Sequence, residues 1–429
     1  MGRATRQYVA GTRNRLTLLP ISVVALAACT AAAPVSNDGR ANLTPVQPPF
    51  HQQELAKFDA PFAMAFLPGG AVLVTEKAGH VKLRMPDGGI TDVAGVPAVA
   101  SGGQGGLLDV AIAPDFAQSG MIYLSYAEGS PDNSQLALAR ATLVQHQVQC
   151  IRAPCPPQAM LAGLTVIWRS GSAGKGGQFG ANIAFAPDGK SLFLSSGERQ
   201  RFIPAQDPDQ ALGKIMHLTL DGKPAAGNPW AGKIAPATVA VIDPPKNTGL
   251  AASAPARQAA GHPTTPAETW STGHRNPYGL AFDSAGRLWE VEMGPKGGDE
   301  VNLITRGGNY GWPKASNGDN YDGSAIPAHK VGDGFMAPKA WWNPSISPGG
   351  MMIYSGAMWP AWRGSMFVAA LSGEALIRVE LSGDTARAAE QFAMDTRIRD
   401  VAQAPDGAIW VLEDGEKGSG GRLIRLSAN

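Results

Sequence analysis

The chain has 429 residues, 44% of them hydrophobic and 17% charged, enough to bury a substantial core. A formal net charge of +1 argues against nucleic acid as a partner and gives no electrostatic reason to sit on an anionic membrane surface. With 53 Gly and 34 Pro and no collagen-like period, the composition points to many short strands joined by turns.

The N-terminus reads as a targeting segment. Arg3, Arg6, Arg13 and Arg15 precede an apolar run over 16–28 that is too short to span a bilayer. Small residues lead into Cys29, a pattern similar to a lipobox in which Cys29 is lipidated, although an ordinary signal peptide with an incidental cysteine reads the same way. The expected organisation is a lipoprotein signal peptide over 1–28, a flexible tether over 29–50 and one domain over 51–429. The only membrane association expected is the lipid anchor, on the periplasmic side of the cell envelope. The other two cysteines, Cys150 and Cys155, lie in one Pro-rich loop. In an oxidising compartment they read as a local disulfide; a metal site lacks neighbouring cysteines or clustered histidines.

Along the domain one pattern recurs: a small or apolar residue, a Pro/Asp/Gly turn, then an apolar strand. It occurs at 65–74, 111–124, 184–194 and 281–291, in a divergent copy at 351–368, and at 404–411. Asp-Gly between apolar runs predicts a hairpin. About six unequally spaced hairpins with weak helical periodicity predict an all-β chain, a six-bladed β-propeller of four-stranded antiparallel blades. A sandwich or a pair of all-β domains fits the pattern less well. The Ala- and Pro-dense stretch over 234–266 reads as a surface insertion. Propellers bind ligands at the mouth of the central channel, but the fold does not name the ligand.

Several loops are more specific. They include Gly102-Gly103-Gln104-Gly105-Gly106, the run 206–214, Gly273-His274-Arg275-Asn276-Pro277, Gly294-Pro295-Lys296-Gly297-Gly298-Asp299-Glu300, Gly308-Asn309-Tyr310-Gly311-Trp312-Pro313 and Arg397-Ile398-Arg399-Asp400. In this order they resemble the soluble quinoprotein glucose and aldose-sugar dehydrogenases, over about nine-tenths of the mature chain. The resemblance implies two cofactors, pyrroloquinoline quinone (PQQ) and calcium. It implies a sugar substrate oxidised at its anomeric carbon and an electron acceptor that the sequence does not identify. Arg397 and Arg399 would hold cofactor carboxylates, for which a planar guanidinium is better suited than an ammonium. Arg275 and Asn276 would stand at the quinone, the carbonyls of Gly294 and Pro295 would ligate calcium, and Gln104 would face the substrate.

Two positions depart from the family pattern. Gln178 stands where the family has its general-base histidine, and an amide does not titrate near neutral pH. Ser372 stands where a cofactor-contacting lysine is expected, with Glu374 close by. Arg199 could compensate from another loop, and His274, Glu198 or Glu292 could serve as base. Taken one at a time these loops also read as ordinary turns, a solvated acidic loop or an ion-paired strand face. The competing functional reading is a non-catalytic propeller lipoprotein that binds a ligand or partner through a degenerate pocket.

Overall fold

Each Pro/Asp/Gly turn closes an antiparallel hairpin. Pro61–Phe66 pairs with Val72–Glu76, Leu107–Ile112 with Met121–Ser130, and Gly180–Phe185 with Ser191–Ser196. Pro277–Phe282 pairs with Leu288–Glu292, Pro348–Ile353 with Met366–Ala370, and Ile398–Gln403 with Ile409–Glu413. The turn glycines Gly189 and Gly407 have φ of 68° and 85°, a region that favours glycine over residues with a Cβ. The computed structural model describes residues 1–2, 39–145, 158–244, 256–416 and 420–428. Residues 1–33 and 34–429 fall into separate units, and the second is all-β. The signal-peptide run, Cys29, Cys150 and Cys155 lie outside the described residues.

Two further strands complete each four-stranded unit. His80–Arg84 and Ile90–Ala94 extend the first, and Asn133–Gln145 and Ala159–Arg169 the second; a short parallel contact, Ala159 opposite Val93, joins these two units at their outer edges. Lys214–Thr219 and Thr269–Thr272 complete the third, and Asp299–Ile304 and Ala340–Trp342 the fourth. Ala375–Ser382 and Thr385–Ala393 complete the fifth. In the last unit Arg422–Ala428 is followed by a strand from the other end of the domain, Phe50–Lys57, which pairs with it antiparallel. That pairing ties the beginning of the domain to its end.

The first strands of the six hairpins pack side by side in chain order, and Ile398–Gln403 returns to Pro61–Phe66. The second strands are buried throughout in five of the six hairpins or nearly so, as in Val72–Glu76 and Ile409–Glu413, because neighbouring units cover both faces. Side chains bridge from one unit to the next. The hydroxyls of Thr75, Ser125 and Ser195 donate to the carbonyls of Leu108 (2.6 Å), Ala181 (2.7 Å) and Pro277 (2.9 Å). Asp109 accepts from Ile183 N at 2.7 Å, and Asp400 from Met64 N at 2.8 Å.

One expectation needs correction. Residues 39–50, read as tether, are docked on the domain: Arg40–Ala41 pairs parallel with Trp341 and Trp342, and Val46 bridges Phe392. A Pro-rich segment lacks its own core but can still pair through its backbone with an open sheet edge. The stretch read as a surface insertion carries a separate hairpin, Thr238–Val241 with Arg257–Ala260, and its Pro244 lines the cleft described below.

Candidate active site

Strand register gathers the chemistry. In five of the six hairpins the residue that starts the first strand lies opposite the one that ends the second: Pro61 opposite Glu76, Gly180 opposite Ser196, Pro277 opposite Glu292, Pro348 opposite Ala370 and Ile398 opposite Glu413. Segments preceding the first strands, with Gln104, Gln178, Arg275, Asn276 and Arg397, therefore emerge at the same end as segments following the second strands. These carry Glu198, Gly294, Pro295, Ser372 and Asp414. Residues hundreds of positions apart meet because the antiparallel pattern repeats.

At this end lies a cleft lined by Gln178, Glu198, Gln200, Phe202, Pro244, Arg275, Pro295, Trp312 and Tyr321. Its walls are aromatic and its polar groups converge. Phe202 stacks on Trp312 with centroids 5.5 Å apart, and the Arg275 guanidinium lies over Trp312 at 5.2 Å and Tyr321 at 5.8 Å. Arg275 Nη1 donates to the carbonyls of Gly294 (2.6 Å) and Met293 (3.0 Å), while its buried Nε has no partner. Those carbonyls thus already face a positive charge.

Gln178 sits between the charged residues. With its amide oriented to satisfy both neighbours, Nε2 donates to Glu198 Oε1 and Oε1 accepts from Arg275 Nη2 at 2.8 Å. Its backbone N–H donates to Gln104 Oε1 at 2.6 Å, so Gln104 braces this loop. Asn276 Oδ1 accepts from Gly180 N at 3.2 Å. The backbone here is strained: Gln178, Ala181, Arg199, Gln200 and Phe202 all have positive φ. Close approach forces one of the glycines, since a Cβ on Gly197 would lie 2.1 Å from the Gln178 carbonyl oxygen.

Glu198 is 1% exposed. Its Oε2 accepts from the N–H groups of Arg201 and Phe202, both at 2.5 Å. Burial raises its pKa, with Arg275 and the backbone donors opposing. Below the cleft, Glu292 Oε2 accepts from Arg275 N at 2.6 Å and Oε1 faces His274 Nδ1 at 3.3 Å. His274, Glu290 and Glu292 bring ligand atoms within 4.8 Å of one another, and Asn302 Nδ2 donates to Glu290, Glu292 and Glu300. Burial and mutual repulsion push Glu290 and Glu300 well above the usual carboxylate range, and Glu290 Oε1 has no partner. Either a cation or shared protons would neutralise this cluster.

Several expected site residues have other duties in the structure. Arg199 does not reach the cleft as a cation: it is 1% exposed, and its guanidinium donates to the carbonyls of Ser134, Gly174, Gly176 and Gly177. It organises the loop before Gln178. Arg397 and Arg399 both pair with Asp414. Burial alone would raise Asp414, yet the two guanidiniums hold it below its ordinary value. One positive charge is left over. Ser372 is exposed and bonds to Ser345 O at 3.1 Å and Ser347 Oγ at 2.8 Å. Asp299 is also spoken for, accepting from the N–H groups of Gly294, Ile346 and Ser347. The sequence reading passed over Gln200, Phe202, Pro244, Trp312 and Tyr321 as cleft residues. Of these only Trp312 stood inside a recognised motif.

Comparison with known proteins bears on the chain as a whole. The family model Glucose / Sorbosone dehydrogenase matches residues 58–240 and 248–425. An aldose sugar dehydrogenase of Escherichia coli, YliI, is 32% identical over 382 residues, covering 86% of this chain and 91% of the relative. A solved glucose dehydrogenase superimposes with a TM-score of 0.72 at 36% identity, covering 88% of this chain and 100% of that one. The PQQ-bound aldose sugar dehydrogenase of Streptomyces coelicolor gives 0.64 at 27% identity, covering 89% and 99%.

Proposed function

The chain belongs to the glucose/sorbosone dehydrogenase family, and from that premise we propose that it oxidises an aldose sugar or related alcohol with PQQ and calcium as cofactors. The observation that carries the proposal is the cleft in which Arg275, with a partnerless buried Nε, faces Gln178, Glu198 and the aromatic wall. The donor set fits the cofactor. PQQ is a planar tricarboxylate, and Arg275, Arg397 and Arg399 supply guanidiniums whose charge exceeds that of Asp414. The Met293 and Gly294 carbonyls already seat a cation, the Arg275 Nη1, and Pro295 lines the same cleft; hard oxygen donors of this kind suit calcium. When bound, PQQ supplies a two-electron acceptor for hydride, and calcium supplies a Lewis acid.

The remaining work falls to this chain. Arg275 and Asn276 hold the cofactor end of the cleft, and the Arg275 charge stabilises negative charge there. Trp312, Phe202 and Tyr321 exclude water and offer faces to a sugar ring. Gln178 occupies the position read as the family's histidine. The reading includes six blades, supported by the six hairpins and the closing pair of Phe50–Lys57 with Arg422–Ala428. It also includes export, lipidation at Cys29 on the periplasmic side of the envelope, and a Cys150–Cys155 disulfide, supported by the sequence alone.

The test is a titration of the lipid-free protein with PQQ and calcium, followed by quinone absorbance, then an aldose panel with an artificial electron acceptor. Calcium-dependent saturation and sugar-dependent reduction of the quinone are expected. Absence of PQQ binding at every calcium concentration overturns the cofactor assignment.

A further inference from the structure

The cleft holds a single carboxylate among its described lining residues, Glu198. The other acid–base groups nearby are committed. His274 is fully buried between Ser271 Oγ and Glu292 and does not line the cleft. Glu292 is taken up by the Arg275 and Asn276 N–H groups and by His274.

Glu198 differs in one respect. Two backbone N–H groups fix its Oε2, while its Oε1 meets the side-chain amide of Gln178. An amide nitrogen can give way to a ligand hydroxyl donating to the same oxygen. Its own N–H donates to the Arg275 carbonyl at 2.9 Å, which locks the carboxylate to the loop carrying the cleft's cation. The charged groups around it are Arg275 at the cleft and Arg199 and Arg201 on its own loop.

We propose that Glu198 is the general base of this enzyme, with Gln178, whose amide meets Glu198 Oε1, as the positioning residue that holds that oxygen at the cleft. The inference rests on the dehydrogenase reading above. The donor's O–H bond breaks and its proton passes to Glu198 Oε1. The C1–H bond breaks and leaves as hydride, with both electrons, for the quinone acceptor. A C=O bond forms, so a cyclic aldose becomes its lactone. A carboxylate whose pKa is raised by burial suits proton abstraction better than one at its ordinary value.

The experiment compares wild type, Glu198→Gln, Glu198→Asp and Gln178→His, each shown folded by circular dichroism and titrated with PQQ and calcium. Glu198→Gln should bind PQQ within a fewfold of wild type yet reduce it at least about a hundredfold more slowly, the usual minimum for losing a general base. Glu198→Asp should recover part of the rate. The wild-type rate should fall with decreasing pH through an acidic limb that Glu198→Gln lacks. An independent readout is infrared titration of the cofactor-free protein: a carboxyl band that titrates above the ordinary glutamate range should be missing in Glu198→Gln. Wild-type turnover in Glu198→Gln, or a Glu198 band titrating at the ordinary value, overturns the assignment. So does a wild type that binds PQQ but turns over only after Gln178→His, which spares the cofactor assignment but not the proposed oxidation. Failure of wild type to bind PQQ sinks both.

Discussion

Arg399 reaches a single oxygen of Asp414 with two nitrogens: Nε lies 2.8 Å from Oδ1, and Nη2 contacts the same atom. Arg397 takes the other oxygen, with Nε 2.9 Å from Oδ2. The carboxylate thereby presents two guanidiniums in fixed orientation at the cleft end of the domain. A cofactor carboxylate arriving there would meet preorganised donors whose ordering cost has already been met within the fold. Arg399→Gln should weaken PQQ binding by roughly tenfold to a hundredfold, the worth of about 1.5–3 kcal/mol for hydrogen bonds to a charged group. Absorbance titration measures this, and unchanged affinity would remove Arg399 from the cofactor site.

The same pair predicts a stability effect. Asp414→Asn leaves two neighbouring guanidiniums without their counterion, in a buried setting where repulsion is poorly screened. The variant should melt at a lower temperature than wild type, and added PQQ should recover more of its melting temperature than it adds to wild type. A thermal melt with and without PQQ decides this.

Stability should also fall as pH rises, because of two aspartates between the innermost strands. Asp109 is raised to about 7 by burial, against the backbone donors of Ile183 and Val110. Asp400 is raised to about 8, again by burial, with Met64 N opposing and Asp109 adding repulsion. A carboxyl whose folded pKa exceeds its unfolded value, near 3.9, binds more protons in the native state. Its contribution is complete below the unfolded pKa and is lost as pH rises through about 7 to 8. Partial exposure of both residues reduces the amplitude below that of a dry carboxylate. Asp400→Asn keeps an acceptor for Met64 N and cannot ionise. It should flatten the melting temperature between pH 4 and 8, and an unaltered slope would show that Asp400 does not carry it.

The hairpins were legible in the sequence because an Asp-Gly turn between apolar runs leaves little else for the chain to do; Ala184–Leu194 and Ala404–Val411 show this best. The meeting of Arg275, Gly294 and Pro295 was implied by the family resemblance of their loops, and the strand register shows why they share one end of the domain. The cleft's detailed wall was not legible. Positive φ at Gln178, Arg199, Gln200 and Phe202 leaves no trace in composition, because none of the four is glycine. Arg199 read as an anion ligand from its position, but burial turned its donors toward backbone carbonyls and the Ser134 hydroxyl. Docking of residues 39–50 was invisible for a related reason, since edge pairing through the backbone needs no side-chain pattern.

Arg199 therefore makes a structural prediction. Its fork holds the loop over 174–177, against which Gln104 and Gln178 are braced. Arg199→Met would leave several buried carbonyls without donors, each worth about 1–3 kcal/mol. The melting temperature should drop and PQQ affinity should fall with it. Arg199→Lys should recover only part of both, because an ammonium lacks the planar fork. Equal rescue by lysine would mean that charge alone matters at this position.

Ser372 offers the complementary gain. It follows Met366–Ala370 at the end of the domain where Arg397, Arg399 and Asp414 meet, and its exposed hydroxyl bonds only to Ser345 O and Ser347 Oγ. Neither bond is buried, so their loss should cost little stability. A lysine here has solvent to extend through and an anionic cofactor to pair with, although Glu374 in the same turn would compete for its charge. Ser372→Lys should tighten PQQ binding by about tenfold at low salt, with the gain shrinking as ionic strength rises, because a partly exposed ammonium is screened. Ser372→Lys combined with Glu374→Gln should gain more than Ser372→Lys alone. If neither variant changes PQQ affinity, the cofactor carboxylates do not approach this turn, and Arg397 and Arg399 must be reconsidered with it.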